Sequence, residues 1–414
     1  MRDAPHVHVI GAGLAGLAAA VTLAAAGRQV RLIEAGPAAG GRCRSYEDRD
    51  LGCRIDNGNH LLLSGNTATM AYLTQIGAAA TLTGPAVPLF PFVDVATGAR
   101  WTVAPSAGRI PWWILRPRCR VPGTRARDYL KLLSLPRIRD DATVAQALDD
   151  DGALYRRLLE PLAIAALNTR PEAGLARLLG SVVQETLMRG GAACLPRVPR
   201  VGLSESFVDP ALRWIEARGG ELRTGRRVAA LHQSGNRVTT LVSADGTEEP
   251  VDGMVLAVPP QVAADLLPAL SVPDAFSAIL NIHFRIPADP GPAGFVGVLG
   301  GLAEWVFVKP GVVSVTISAA NHLADLPSEE IAGRVWPDVC AALTLSGDMP
   351  RWRVVKEKRA TFAATAAQEK LRPGARTPLR NLALAGDWTA TGLPATIEGA
   401  IRSGRTAATH LLAG

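Results

Sequence analysis

Lysine is scarce in this 414-residue chain: five residues, Lys131, Lys309, Lys356, Lys358 and Lys370, within a Lys+Arg total of 44. Arginine therefore carries the net charge of +7, and it is spread along the sequence with no compact basic run interleaved with aromatics. That pattern argues against a nucleic-acid partner, and it leaves a diffuse basic surface compatible with an anionic membrane face. Cysteine is also sparse: Cys43, Cys53, Cys119, Cys194 and Cys340 are odd in number and lack C-x-x-C spacing. Such a set points to reduced thiols in a cytoplasmic protein and away from a disulfide framework or a metal site. No apolar run reaches the ~18–20 residues a transmembrane helix needs. The apolar stretch Leu14–Ala26 has no basic segment ahead of it, unlike a signal peptide. Mean hydropathy is nevertheless +0.16, which fits apolar cavities or a membrane-facing patch. At this length one large α/β unit or two interleaved domains are expected, with a sizeable core.

What the chain does have is concentrated at its start. His6–Ile10 reads as a buried strand running into Gly11-Ala12-Gly13-Leu14-Ala15-Gly16. An alanine- and leucine-rich helix follows to about Ala26, and Gln29–Ile33 is a second strand closing on Glu34. A G-x-G-x-x-G sequence between strand and helix is a dinucleotide-binding fingerprint in its required context. Gly11 permits the tight turn, Gly13 lets the backbone approach a pyrophosphate, and Gly16 lets helix and strand pack closely. The helix start offers free N–H groups to the phosphates. Glu34 stands 23 positions after Gly11, near the ~20-residue spacing of an acid that binds a ribose 2′-OH. A carboxylate there repels a 2′-phosphate and disfavours NADP. Gly40-Gly41-Arg42 adds two glycines for close backbone contact and a guanidinium able to neutralise phosphate charge.

With that added segment the chain resembles the FAD-binding flavoprotein oxidoreductases of the amine oxidase and phytoene desaturase superfamily. The resemblance implies an α/β fold, with a Rossmann-like FAD-binding domain and an interleaved α+β substrate domain. The FAD-binding domain would comprise residues 1–85, 204–270 and 375–414. The substrate domain, with a helical lobe, would comprise 86–203 and 271–374. The cofactor would meet Gly11, Gly13, Leu14, Ala15 and Gly16, Glu34 and Ala35, and Gly41 and Arg42. It would also meet Asn57, Gly58, Asn59 and His60, the backbone of Val228, Gly386 and Asp387, and the backbone of Thr396 and Ile397 at the final helix. A helix N-terminus beside the flavin would stabilise its anionic reduced form. No metal is implied.

Along the chain, Asp56-Asn57-Gly58-Asn59-His60 sets four polar side chains around one glycine before an apolar run; the bland alternative is an Asx-rich turn with a surface histidine. Asn66–Ile76, Ala142–Asp150, Ala153–Leu167, Gly174–Met188 and Ser204–Arg218 have helical spacing. Strands are expected at 88–95 and Arg100–Val103, a meander from Val228 to Asp245, and a strand over Val251–Val258. Several short strands and a helix over Ser328–Leu345 fill Phe276–Gly374, which holds no second G-x-G-x-x-G. A last strand over Asn381–Ala385 leads to a helix ending near Leu412, with Pro394 suited to its first turn. Trp112 and Trp113, between aliphatics and arginines, suit either a membrane interface or a core-packed helix end.

Within the superfamily the chain is most similar to the squalene-associated branch, the hydroxysqualene dehydroxylases of hopanoid-making bacteria. The likeness rests on Asp56–His60, Pro161–Thr169, Pro199–Ser204 and Gly386–Ala400. That family more often has Gln where Asn59 stands. The resemblance implies reduction of a C30 hydroxysqualene to squalene by reduced FAD, with an external electron donor that the sequence does not identify. A leaving hydroxyl needs a general acid, for which His60 is the candidate, with Asp56 orienting or charging it and Glu398 in reserve. A polyene or phytoene-type desaturase, an amine oxidase with Trp388 as one wall of an aromatic pair, and a non-enzymatic FAD- or NAD-binding module remain open alternatives. The expected location is cytoplasmic, with peripheral contact to an inner membrane.

Overall fold

The first strand is buried on both of its faces, which places it inside a sheet rather than at an edge. In the computed structural model, which describes residues 6–138, 141–148 and 152–413, five parallel strands lie in one sheet. Their order is Glu221–Arg223, Gln29–Ile33, His6–Ile10, Gly253–Leu256 and Leu382–Leu384. Side chains alternate between two cores: Val9, Leu32 and Val255 face one, and Ile10, Ile33 and Leu256 face the other. Helix Leu14–Ala25 covers the sheet and packs on the final helix, Ile397–Ala413. The approach is close enough to require Gly404, where a Cβ would stand 2.1 Å from the Ala15 carbonyl oxygen. The meander forms Val228–Ser234, Arg237–Ser243 and Glu248–Pro250 beside this sheet.

A second sheet has seven strands in the order Trp352–Phe362, Phe276–Phe284, Val312–Ile317, Trp305–Lys309, Phe295–Leu299, Phe90–Asp94 and Arg100–Val103. All its pairs are antiparallel except Phe295–Leu299 with Phe90–Asp94. Alternation again sorts the faces. Val306, Val308, Val313 and Val315 pack under helix Ser328–Leu343, while Trp305, Phe307 and Phe295 face a helical lobe. That lobe contains Val144–Leu148, Glu160–Leu167 and Ala176–Glu185. It is tied to the sheet by Asn168, whose amide donates to the Ser277 carbonyl (3.1 Å) and Thr361 Oγ1 (3.0 Å).

Several helices differ from the periodic pattern. The expected helix over Ala142–Asp150 is Val144–Leu148, and its last two positions lie outside the described residues. Glu160–Leu167 and Asp209–Glu216 are each preceded by a π turn, Tyr155–Leu159 and Ser204–Val208. Both turns lead into a helix whose second residue is proline, Pro161 or Pro210; the missing N–H removes one i→i−4 bond and widens the helix locally. Gly174–Met188 shortens to Ala176–Glu185 followed by a 3₁₀ turn, Leu187–Arg189. Among the described residues no helix is long and apolar enough to cross a membrane.

Candidate active site

The dinucleotide loop is built by backbone proximity. Gly11 has φ +98° and donates to the Ile33 carbonyl at 2.7 Å. A Cβ on Gly16 would stand 1.9 Å from the Gly11 carbonyl oxygen, so helix and turn can meet only without a side chain there. Leu14 and Ala15, the first helical residues, are buried behind the loop. Gly13 faces open space, with nothing within 4 Å of its would-be Cβ, and Gly41 approaches it so that a Cβ there would lie 3.3 Å from the Gly13 Cα. The two glycine segments are joined by Gly40 N–H to the Ala12 carbonyl at 2.8 Å. Glu34 reaches back over this loop, its carboxylate accepting from Ala12 N–H (2.8 Å) and Gly36 N–H (2.7 Å). Ala35 lies between those contacts. Glu34 is also tied to the start of the meander, through its N–H to Arg223 and its carbonyl from Arg226, which brings buried Val228 to the same end of the sheet.

The second glycine segment and the C-terminal return meet directly. Arg42 Nη2 donates to both carboxylate oxygens of Asp387, at 2.7 and 2.8 Å, and Nη1 donates to the Ala360 carbonyl. The carboxylate raises the guanidinium's pKa further and neutralises its charge. Arg42 and Asp387 were each expected to face the cofactor chain; in this chain they are first of all partners of one another. Around them Arg372, fully buried, donates to the carbonyls of Asp387 (3.2 Å) and Thr389 and to Thr391 Oγ1 (3.0 Å), fixing the turn after Gly386. Thr396 caps the final helix by accepting from Gly399 N–H at 3.0 Å. The N–H groups of Ile397 and its neighbour then lie in the first turn, where the helix itself provides no partner.

Asp56–His60 runs from the end of a two-stranded ribbon, Ser45–Asp48 with Cys53–Asp56, to the seven-stranded sheet. Asp56 is buried and ion-paired with Lys309, and it accepts from Ser45 Oγ (2.5 Å) and Leu203 N–H (2.9 Å). It has no hydrogen bond to His60 and acts on that ring through its charge, raising a pKa that burial lowers; Lys309 pairs with it, and Ser45 and Leu203 hold it. Asn57 donates to Glu357 (3.4 Å), and its carbonyl accepts from Asn281 (3.4 Å). Gly58 lies against Asn281, whose amide nitrogen would be 3.1 Å from a Cβ. Asn59 takes Asn281 Oδ1 on its N–H (3.3 Å) and donates to Thr316 Oγ1 (3.1 Å), leaving its own buried Oδ1 without a partner. His60 is half-buried. Desolvation pushes its pKa down to about 4; Asp56 opposes that shift, and Arg42 and Lys309 add to it. The ring is therefore neutral at pH 7.

Glu398 is not available as an acid. Its carboxylate is buried at the start of helix Thr67–Gln75, accepting from Ala68 N–H (3.0 Å), Thr69 N–H (2.8 Å) and Thr69 Oγ1 (2.7 Å). Arg402 donates to it at 2.8 Å. The reserve role is corrected to a structural one, the cap of a helix. Trp388 is likewise a core residue, 3 % exposed, with its indole N–H on the Val258 carbonyl at 3.0 Å, and forms no free wall of an aromatic pair.

Residues not anticipated from the sequence complete the site. On the lobe-facing side of the seven-stranded sheet, paired positions run Phe295, Phe307, Ser314, His283 in one row and Gly297, Trp305, Thr316, Asn281 in the next. One half of this buried face is aromatic, with ring centroids 5.6–6.3 Å apart among Phe90, Phe92, Trp101, Phe295, Trp305 and Phe307. The other half is polar, and Lys309 and Asn59 stand at the boundary. His283 Nδ1 meets Ser314 Oγ at 2.7 Å, and burial lowers its pKa to about 4. A signal for these residues was present: Asn281 and His283 in 280–284, and Ser314 and Thr316 in 312–317, alternate with apolar residues and mark one face of each strand. Nothing comparable marked Arg372.

These residues fit a flavin dinucleotide. The open space at Gly13 beside Gly41 suits a pyrophosphate, and the orphaned Asn59 Oδ1 is an acceptor awaiting a donor. Among the described residues no group of three or more His, Cys, Asp or Glu could hold a metal ion, and all five cysteines are free.

Comparison with known proteins agrees with this geometry. The family model for flavin containing amine oxidoreductase matches residues 14–288 and 306–412. The chain is 48% identical over 405 residues to hydroxysqualene dehydroxylase of Sinorhizobium fredii, covering 97% of each. It is 48% identical over 412 residues to the protein of the same name from Rhodopseudomonas palustris, covering 98% of each. Among solved structures, an oxidoreductase from Methanosarcina mazei matches with TM-score 0.72 at 17% identity, over 97% of this chain and 99% of that one, a likeness of fold. The cofactor is FAD, and the chain belongs to the flavin containing amine oxidoreductases, within them to the hydroxysqualene dehydroxylases.

Proposed function

We propose that the enzyme removes the hydroxyl of hydroxysqualene reductively, yielding squalene and water. The observation that carries the reading is a buried layer of side chains that changes from aromatic to polar across adjacent strands, from Phe295, Trp305 and Phe307 to Ser314, Thr316 and Asn281. Such a surface suits a long hydrocarbon bearing one oxygen. The substrate C–O bond breaks as its oxygen takes a proton, water leaves, and the allylic carbon takes a hydride. Bound reduced FAD supplies that hydride. The aromatic half excludes water, which would otherwise capture the cation, and its ring faces favour positive charge. His60 is proposed as the group that hydrogen-bonds and protonates the leaving oxygen.

The loop Gly11, Gly13, Leu14, Ala15 and Gly16, with Gly41 and Arg42, would hold the pyrophosphate, and Glu34 and Ala35 the ribose, with Val228 at the adenine. Asn57, Gly58, Asn59, His60, Gly386, Asp387 and the Thr396–Ile397 backbone would surround the flavin end. The division into residues 1–85, 204–270 and 375–414 for FAD, and 86–203 and 271–374 for substrate, belongs to the same reading. So does peripheral membrane contact, since a C30 lipid partitions into bilayers. Trp112 is exposed for that contact, whereas Trp113, paired with it in the sequence reading, is buried.

The test is anaerobic incubation of chemically reduced holoenzyme with hydroxysqualene, with lipids identified by mass. Loss of one oxygen with gain of a squalene product is expected. Unchanged substrate in the presence of fully reduced, bound flavin would reject the reading.

A further inference from the structure

Residues 104–138 form no regular α-helix; 3₁₀ turns at Trp112–Leu115 and Ala126–Leu133 contact one another. Each turn has an inner and an outer face. Trp113 stacks edge-on to Tyr129 at 5.1 Å, and both join the cluster that contains Phe295, Trp305 and Phe307. The outer faces carry Ile110, Trp112, Leu115, Leu130 and Leu133 at 45–59 % exposure. Met188 is added by the segment that follows, pinned to this loop through Gly191 N–H to the Ser106 carbonyl at 3.0 Å. These are six of the nine large exposed hydrophobic residues among the described residues. The same 104–138 segment holds eight basic side chains and one acid, Asp128; this excess of seven equals the net charge of the whole chain, +7. Asp128 is itself engaged by the Arg125 N–H at 2.7 Å.

We propose that this face is a docking platform for a bilayer containing anionic phospholipid, with the six apolar side chains among the acyl chains and the surrounding arginines at phosphate level. Apolar anchors with a basic rim are the pattern of in-plane membrane attachment. Charge complementarity selects an anionic lipid surface over a second copy of this chain, because two such faces would bring like charges together. The inner faces of the same turns belong to the buried cluster that contains the aromatic side chains of the seven-stranded sheet. The proposal deepens the membrane contact included in the reading above. Its test uses no turnover, so the two can fail separately.

The experiment is flotation of the FAD-loaded protein with vesicles of phosphatidylcholine containing phosphatidylglycerol, and with phosphatidylcholine alone, at low and high salt. Flotation with the anionic vesicles, weakened by salt, is expected. Trp112→Ser with Leu115→Ser should lower partitioning on the order of tenfold or more. Arg116→Gln with Arg118→Gln should lower the preference for anionic lipid while leaving the apolar ridge intact. All four side chains are exposed, and retained flavin absorbance and thermal midpoint confirm folding. The proposal is overturned if the wild-type protein stays with the dense fraction, or if both double variants float as it does. It is also overturned if the wild type sediments as a dimer that Trp112→Ser with Leu115→Ser makes monomeric.

Discussion

At the scale of single residues, His60 is the sharpest point of the mechanism. A ring with a pKa near 4 is protonated in about one molecule in a thousand at pH 7. If the protonated ring delivers the proton, kcat/KM should rise roughly tenfold per unit as pH falls from 7 toward 5. A flat profile over that range would remove His60 from the role. His60→Ala should lower kcat by about 10²–10⁴-fold with flavin still bound. Gly16→Ala probes the cofactor site instead: its methyl would collide with the Gly11 carbonyl, and the purified protein should carry little or no flavin by absorbance. The glycines were legible because their role depends on near neighbours in sequence. Lys309 was not, because its partner Asp56 lies 253 positions away and nothing local marks the meeting.

At the scale of elements, the long-range ties between helix ends decide what a residue can do. Glu398 stands at the start of the final helix, which made it look available to a flavin-side reaction. Its carboxylate instead caps helix Thr67–Gln75 and pairs with Arg402. Glu398→Gln should therefore lower stability by about 1–3 kcal/mol, seen as a lower thermal or urea midpoint, while the pH dependence of turnover stays unchanged. A shifted pH profile with unaltered stability would contradict the capping role. The βαβ unit, the meander and both long helices were legible from periodicity and from their glycine and proline punctuation. The π turns before Pro161 and Pro210 were not, since the pattern shows where a proline interrupts but not how the backbone repairs it. Trp112 and Trp113 are adjacent in sequence, yet a 3₁₀ turn sends one outward and the other into the core.

At the scale of the molecule, three chain segments return to one parallel sheet, and the intervening residues build the seven-stranded sheet that supplies the aromatic-to-polar layer. The order of the cofactor segments was readable; the aromatic-to-polar layer was not, because it is assembled from strands whose pairing only the fold fixes. This architecture also holds histidines neutral, two of them, His8 and His283, buried. His8 and His283, like His60, are lowered from 6.5 to about 4, chiefly by desolvation. Between those values the unfolded chain binds protons that the folded chain does not. Stability should therefore fall as pH drops from 6.5 toward 4, by at most about 1.4 kcal/mol per unit for each histidine. Urea midpoints measured across that range should show it, and His283→Gln should make the decline shallower. The central claim, hydride delivery to a lipid cation in a dry chamber, is tested most directly by anaerobic rapid mixing of reduced holoenzyme with hydroxysqualene. The predicted result is reappearance of the oxidised flavin spectrum together with one squalene per flavin. A flavin that stays reduced while the lipid is consumed, or squalene formed without flavin oxidation, would contradict it.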